Sequence, residues 1–170
     1  MKSLRELYKI GRGPSSSHTM GPMRAAQIFL SEHRDAASFQ VTLYGSLAAT
    51  GKGHMTDAAI VDELKPVAPV EIVWKPSVFL PFHPNGMNFK SLDADKNVTG
   101  DWTVYSVGGG ALSEGKANGD RFDTSSNVYD LERLTDIQTW CEDKGRSYWE
   151  YVEMCEGESI WDYLMEIWTA

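Results

Sequence analysis

The sequence predicts an α/β (α+β) protein, a two-layer sandwich with a mixed or antiparallel sheet and a helical C-terminal extension. Short segments in which apolar and polar residues alternate, as in half-buried strands, are interspersed with helical segments at short spacing. After residue 129 this alternation ends, and the apolar residues keep a helical spacing instead. We therefore expect two regions, residues 1–129 and residues 130–170.

The individual elements follow from the same periodicities. The predicted strands are 39–44, 70–74, one that starts at 87, and 102–107. The predicted helices are 3–10, 22–33, 46–50, 55–64, 131–141, one capped by Ser147 with Glu150 as its partner, and 159–168. Thr56 or Asp57 is expected to start the helix at 55–64. Residues 115–127 are polar and contain glycine, which predicts a mobile loop.

Composition excludes several classes of function. The formal net charge is −8, which argues against a nucleic-acid partner because a phosphate backbone would be repelled. No apolar run approaches the length of about 18 residues that a membrane helix needs. Residues 1–10 carry four charges and no apolar core, which is unlike a secretory signal. We therefore expect a cytoplasmic protein without a membrane partner.

The cysteine count limits the cofactors that this chain can hold. Cys141 and Cys155 are the only two cysteines, and their spacing fits neither a disulfide framework nor a CxxC motif. A four-iron cluster takes three or four thiolates, so any such cluster must be ligated outside this chain. We interpret both cysteines as small buried side chains on helices.

The segment Gly11–Thr19 is the first with the chemistry of a binding site. It offers glycines and a row of hydroxyl groups just before a helix, an arrangement that favours a carboxylate or phosphate. It lacks the GxxxxGK[ST] pattern of a P-loop. The alternative is a capping loop whose hydroxyls satisfy only the local backbone.

The segment Gly51–Asp57 places three ionisable side chains, those of Lys52, His54 and Asp57, on a glycine-rich turn. His54 suits proton transfer because its ordinary pKa lies near neutrality, and Lys52 suits an anionic substrate. The alternative is a solvated turn in which Asp57 caps a helix.

Two further segments carry weaker signals. Asn85-Gly86 is typical of a tight turn, with His83 beside it. The glycines of Ser106–Gly110, at a strand end, allow a close approach to a ligand or another chain, or form a bulge.

Two common catalytic arrangements are disfavoured. The serines Ser15–Ser17 with His18 do not suggest a serine nucleophile, because adjacent residues seldom form such a pair and no GxSxG elbow is present. A zinc site built from His18, His54 and His83 lacks a characteristic spacing.

Taken together and in this order, these segments resemble the β part of bacterial iron–sulfur-dependent L-serine dehydratases. The resemblance covers almost the whole chain and includes one long match, Ile10–Met23. The shorter matches are Tyr44–Leu47, Thr50–His54, Thr56-Asp57, Asn85–Met87 and Tyr105–Gly110.

The resemblance implies half of an enzyme that converts L-serine to pyruvate and ammonia without pyridoxal phosphate. It implies that an α part, as a domain or a separate chain, carries a [4Fe–4S] cluster and binds the substrate hydroxyl there. Residues 131–168 would lead towards that α part, and the chain alone would be inactive. The implied fold is similar to the allosteric substrate-binding domain of some phosphoglycerate dehydrogenases, and we expect a homodimer.

The same resemblance implies the site residues. The residues expected in catalysis are His18, His54 and Lys52, and those expected to bind substrate are Ser15, Ser16, Ser17, Thr19, Asn85 and Gly86. The general base stays open between the histidines and a group of the α part. The alternative function is a non-catalytic allosteric module that binds serine.

Overall fold

A computed structural model describes residues 1–116, 120–122 and 127–170. The chain forms two compact units, one of Gly11–Asp123 and one of Met1–Ile10 with Thr124–Ala170. Most of the loop predicted at 115–127 lies outside the described residues. The domain boundary predicted after residue 129 stays a prediction. The division into two compact units describes how the chain packs and does not test how far a homologous domain extends.

The described residues of the two units contain the following helices and strands. In chain order they are α1 (Leu4–Leu7), a π-helix (Ser16–Met20), α2 (Gly21–Glu32), β1 (Ser38–Tyr44), α3 (Gly45–Thr50), α4 (Thr56–Leu64), β2 (Val70–Lys75), β3 (Gly86–Leu92), β4 (Val98–Gly108), β5 (Ala111–Ser113), α5 (Leu134–Lys144), α6 (Tyr148–Glu156) and α7 (Ser159–Thr169).

The unit Gly11–Asp123 is built on a five-stranded sheet of order β2-β1-β3-β4-β5. The β1–β2 pair is parallel and the other three pairs are antiparallel, so the sheet is mixed. Val41 lies at its centre, opposite Ile72 on one side and Phe89 on the other. The α+β prediction is therefore confirmed, whereas the likeness to a phosphoglycerate dehydrogenase domain stays a prediction.

Alternate residues of the strands form the core of this unit. Val41 and Phe89 are fully buried and belong to one apolar cluster with Phe29 of α2 and Leu64 of α4. Burying each such side chain contributes about 1.5–3 kcal/mol. Gln40 has the opposite parity and donates a hydrogen bond to Glu71 at 2.8 Å instead. The helices thus cover one face of the sheet, which gives the two-layer sandwich.

Two elements of this unit were missed. The strand β5 has three residues, too few for alternation to be visible. The π-helix Ser16–Met20 lies where a loop was expected, because serine-rich sequence suits a turn as well as a helix start. The π-helix continues directly into α2, so the continuous helix begins at Ser16, five residues before the start of α2.

One local prediction holds and one was wrong. Thr56 and Asp57 are the first two residues of α4, and the Asp57 carboxylate accepts a hydrogen bond from the Ala58 amide at 2.9 Å, although the residue at the cap position is Met55. Asn85-Gly86 does not form a tight hairpin turn. The Asn85 carbonyl accepts a hydrogen bond from the Ser106 amide at 3.0 Å, and this contact starts the β3–β4 ladder at the position where a turn was expected.

The unit of Met1–Ile10 and Thr124–Ala170 is helical in its described part. The side chains of Tyr129, Ile137, Cys141 and Tyr151 form its buried cluster. The predicted cap of α6 is confirmed, since the Ser147 amide donates to Glu150 at 2.9 Å. That bond, with the neighbouring Arg146, lowers the pKa of Glu150 to about 2.

None of the helices in the described ranges is long and apolar enough to cross a membrane.

Candidate functional site

The first turn of the π-helix is organised by Ser15, its capping residue. Its hydroxyl accepts a hydrogen bond from the His18 amide at 3.4 Å, and its carbonyl accepts one from the Thr19 amide at 2.8 Å. The hydroxyl of Thr19, which is fully buried, also bonds to the Ser15 backbone. Ser15 and Thr19 therefore shape the turn, as the capping-loop alternative anticipated.

Ser16 and Ser17 lie at the open end of this helix. The side chain of Ser16 is exposed. The first backbone N–H groups of a helix have no intrahelical acceptor, and in the described structure those of Ser16 and Ser17 have no other protein acceptor either. The two amides and the exposed Ser16 hydroxyl are thus available here to an anion.

His18 is buried within the same turn, and both its ring nitrogens meet hydroxyl groups. The Nδ1 atom lies 2.9 Å from the Ser17 Oγ, and the Nε2 atom lies 3.3 Å from the Ser46 Oγ. Burial lowers the pKa of His18 below its usual 6.5, and the nearby charge of His54 lowers it further. Hydrogen bonding to the Ser46 backbone opposes this shift. The lowered pKa favours the neutral form of the ring.

His54 lies against His18, with the ring centroids 4.7 Å apart. Its Nδ1 atom is 3.0 Å from the Thr50 carbonyl oxygen. A carbonyl oxygen only accepts hydrogen bonds, so Nδ1 carries the hydrogen and Nε2 carries the lone pair. Among the described residues, no protein group is hydrogen-bonded to that Nε2. His54 is half-buried, so its side chain keeps some exposure to solvent.

The turn between α3 and α4 presents His54. The His54 amide donates to the Thr50 carbonyl at 3.2 Å, and Met55 takes the left-handed conformation with φ 57°. The chain then enters α4, which packs against α2 and the π-helix. This packing is what brings His54 to His18.

Ser46 is a site residue that sequence reasoning missed. It follows Gly45, which joins β1 to α3 with φ +49°, a conformation that favours glycine. A Cβ atom at Gly45 would lie 2.5 Å from the Pro84 carbonyl oxygen. The signal available in the sequence was a glycine directly after a strand pattern, followed by a hydroxyl residue.

Among the described residues, the remaining predicted ones make no hydrogen bond to His18 or His54. The ammonium group of Lys52 is 5.6 Å from the centre of the Trp74 ring, and in the described structure it makes no hydrogen bond or ion pair. Asn85 is buried, and its amide group donates to the Ser106 carbonyl at 3.3 Å. Gly86 pairs with Tyr105 in the sheet. Their roles in substrate binding stay predictions.

Two buried hydroxyl groups at this end of the unit are unpaired. The Oγ of Ser106 and the Oγ1 of Thr56 have no hydrogen-bond partner among the described residues. An unpaired buried hydroxyl costs about 1–3 kcal/mol, so a water molecule or ligand at these positions would be stabilised. Ser106 packs against Gly21, at the junction of the π-helix and α2.

The residues of this chain do not fit a [4Fe–4S] cluster. In the described ranges no group of three or more His, Cys, Asp or Glu residues could hold a metal ion. Cys141 is buried in the apolar cluster, and burial raises the pKa of the Cys155 thiol, which disfavours the thiolate. Cluster ligation by this chain is therefore not supported.

Comparison with known proteins agrees with the resemblance. The model of the family described as serine dehydratase beta chain matches residues 3–75 and 63–117. An L-serine dehydratase of Streptomyces coelicolor is 31% identical, over 99% of this chain and 48% of that protein. L-serine dehydratase TdcG of Escherichia coli is 33% identical, over 86% of this chain and 41% of that protein.

A third relative gives the same result. The L-serine dehydratase of Mycobacterium tuberculosis is 35% identical, over 69% of this chain and 34% of that protein. The chain spans less than half the length of each of these relatives. The family match covers more than half of the chain, and the chain therefore belongs to the serine dehydratase beta chain family.

Proposed function

We propose that this chain is the β part of an L-serine ammonia-lyase, which converts L-serine to pyruvate and ammonia together with an α part. The observation that carries the proposal is the contact between His18 and His54, within residues that match the family. Its relatives in S. coelicolor and E. coli are named L-serine dehydratases. With two cysteines on this chain, we place the [4Fe–4S] cluster on the α part.

Within the proposed site, His54 is the better candidate for proton transfer. A general base needs a free lone pair, and the Nε2 of neutral His54 would offer one, since its Nδ1 faces the Thr50 carbonyl. Both nitrogens of His18 already face hydroxyl groups, so His18 is better suited to hold the site in shape. The choice between them, open in the sequence, thus favours His54.

The hydroxyls and amides of the π-helix start would bind the substrate carboxylate. Ser16 and Ser17 offer N–H groups at a helix N-terminus, where the helix dipole favours an anion. Lys52, on the adjacent turn, would contribute positive charge to the approach of that anion. Asn85 and Gly86 would form a more distant edge of the site through Ser106.

The experiment is substitution of both histidines in the complete enzyme, assayed anaerobically for pyruvate. We expect His54→Ala to lower kcat by about 10²–10⁴-fold, the usual contribution of an acid–base group. The matched control is His33→Gln, because His33 lies beyond the other end of α2, about 18 Å along the helix. If His18→Ala and His54→Ala both keep wild-type kcat and KM, the proposal is wrong.

A second candidate function is a non-catalytic module that senses L-serine. The available amides at Ser16 and Ser17 favour it, since they belong to this chain alone. Calorimetry with L-serine on the 170-residue chain separates the two functions. Saturable binding without the α part supports a sensory site, and no binding supports a composite active site.

Three further expectations belong to the same proposal. The chain alone should release no pyruvate, and size-exclusion chromatography with light scattering should show a homodimer. A cytoplasmic location stays a prediction from the sequence.

A further inference from the structure

We propose that Ser46 is a positioning residue, whose hydroxyl holds the Nε2 side of His18 and thereby fixes that ring against His54. The inference rests on the proposed function, because it concerns the same histidine pair. It names a residue of α3, a different element from the one that carries the expected carboxylate site at Ser16 and Ser17.

The first argument is where the two partners of the His18 ring come from. Ser17 is the preceding residue of the same helical turn, so its hydroxyl moves with His18 if the turn moves. Ser46 belongs to α3, a different element. The Ser46 hydroxyl, 3.3 Å from Nε2, therefore helps to orient the ring relative to the rest of the fold.

The second argument is how firmly Ser46 itself is placed. Its amide donates to the Pro84 carbonyl at 3.0 Å, and the Gly45 amide donates to the Val78 carbonyl at 2.9 Å. These two bonds, with the positive φ of Gly45, define a sharp turn from β1 into α3. The Ser46 carbonyl also accepts from the Thr50 hydroxyl at 3.0 Å. The hydroxyl of Ser46 thus comes from a constrained backbone.

The third argument is the shared segment that anchors both histidines. Thr50, whose hydroxyl bonds to Ser46, presents the carbonyl that accepts from Nδ1 of His54. The helix α3 therefore contacts His18 through Ser46, near its start, and His54 through Thr50, at its end. One short helix sets the orientation of both rings, and His54 is the titratable group that faces His18.

Nuclear magnetic resonance of the ring nitrogens tests this directly on the 170-residue chain. In the wild type we expect both ring nitrogens of His18 to show hydrogen-bonded chemical shifts, since each has a hydroxyl partner. Ser46→Ala should shift the Nε2 resonance of His18 towards the values of a free imidazole. Ser46→Thr keeps a hydroxyl and should restore the wild-type spectrum.

The control is Ser31→Ala, which removes an exposed hydroxyl bonded to the Ile28 carbonyl within α2 and should leave His18 unchanged. Ser46→Ala should fold, because alanine is the strongest helix former and Ser46 is only partly buried. If its His18 ring resonances equal those of the wild type, the inference is overturned.

Activity of the complete enzyme provides the second readout. We expect Ser46→Ala to lower kcat by about three- to tenfold, the net worth of one hydrogen bond, with KM within about twofold of wild type. Ser46→Thr should recover most of the loss. If Ser46→Ala keeps the wild-type kcat while His54→Ala is inactive, the positioning role of Ser46 is overturned and the proposed function is not. Full activity of His18→Ala and His54→Ala overturns the proposed function instead.

Discussion

The imidazole rings of His18 and His54 lie against each other, with their centroids 4.7 Å apart and their planes inclined by 39°. Two rings this close resist double protonation, because like charges repel in a partly buried site. The pKa of His18 is lowered by its burial and then by the charge of His54, which favours the neutral form of the His18 ring.

This relationship predicts how His18 responds when its neighbour loses its charge. Replacing His54 by Gln removes the positive charge that lowers the pKa of His18, so that pKa should rise towards 6.5. The measurement is a proton NMR titration of the four histidine rings. His83→Gln is the control and should not shift His18. A lower pKa of His18 in His54→Gln would contradict the electrostatic argument.

The capping role of Ser15 predicts a loss of stability that Ser16 does not share. Ser15→Ala removes the acceptor for the His18 amide and should lower the free energy of unfolding by about 1 kcal/mol. Ser16→Ala changes an exposed hydroxyl two positions away from His18 and should be neutral within about 0.5 kcal/mol. Urea denaturation of the two variants gives the comparison. Equal losses would show that the cap is not made by Ser15.

The turn at Gly45 predicts a strained variant that also displaces Ser46. Gly45→Ala puts a Cβ in the left-handed region, 2.5 Å from the Pro84 carbonyl oxygen, and should cost about 1–3 kcal/mol of stability. It should also shift the His18 resonances. Gly53→Ala is the matched control, since a Cβ there meets only the Thr50 carbonyl at 3.5 Å. Thermal unfolding and ring spectra of both variants test the two effects.

The contact between Gly21 and Ser106 predicts a coupled pair. A Cβ at Gly21 would lie 2.2 Å from the Ser106 Oγ, so Gly21→Ala should destabilise although alanine favours helices. Ser106→Gly removes the obstructing atoms, and the double variant should recover at least about 1 kcal/mol of the sum of the single losses. A double-mutant cycle by urea denaturation measures this coupling. Strictly additive losses would mean that the two residues do not contact.

Much of the fold was predictable because it depends on local patterns. Strand β1 and helix α6 begin within a residue or two of their predicted positions. Each was predicted from residues close together in the sequence, the alternation within β1 and the Ser147–Glu150 cap of α6. The strand β4 begins four residues before its predicted start at 102. The Ser91 and Thr99 hydroxyls, 2.9 Å apart, join β3 to this early part of β4, and that pairing is not visible in either segment alone.

The candidate site was predictable in its residue types and only partly in its arrangement. His54 was expected from the chemistry of its own segment and His18 from the resemblance, and the fold brings them together. Lys52 was grouped with His54 because they are close in sequence, yet its ammonium lies over Trp74. Ser46 was missed as a site residue, although it lies in the matched segment Tyr44–Leu47, because nothing in that segment shows that its partner is a distant histidine.

The sequence by itself determined the strands and helices, membership of the serine dehydratase beta chain family, and a cysteine count too small for a four-iron cluster. These properties depend on composition, on periodicity and on ordered motifs, all of which are local or additive along the chain. Only the tertiary structure decided that Ser46 faces His18 and that Nε2 of His54 is the available nitrogen. Those facts depend on how α3, α4 and the π-helix pack, and packing depends on contacts between residues far apart in the chain.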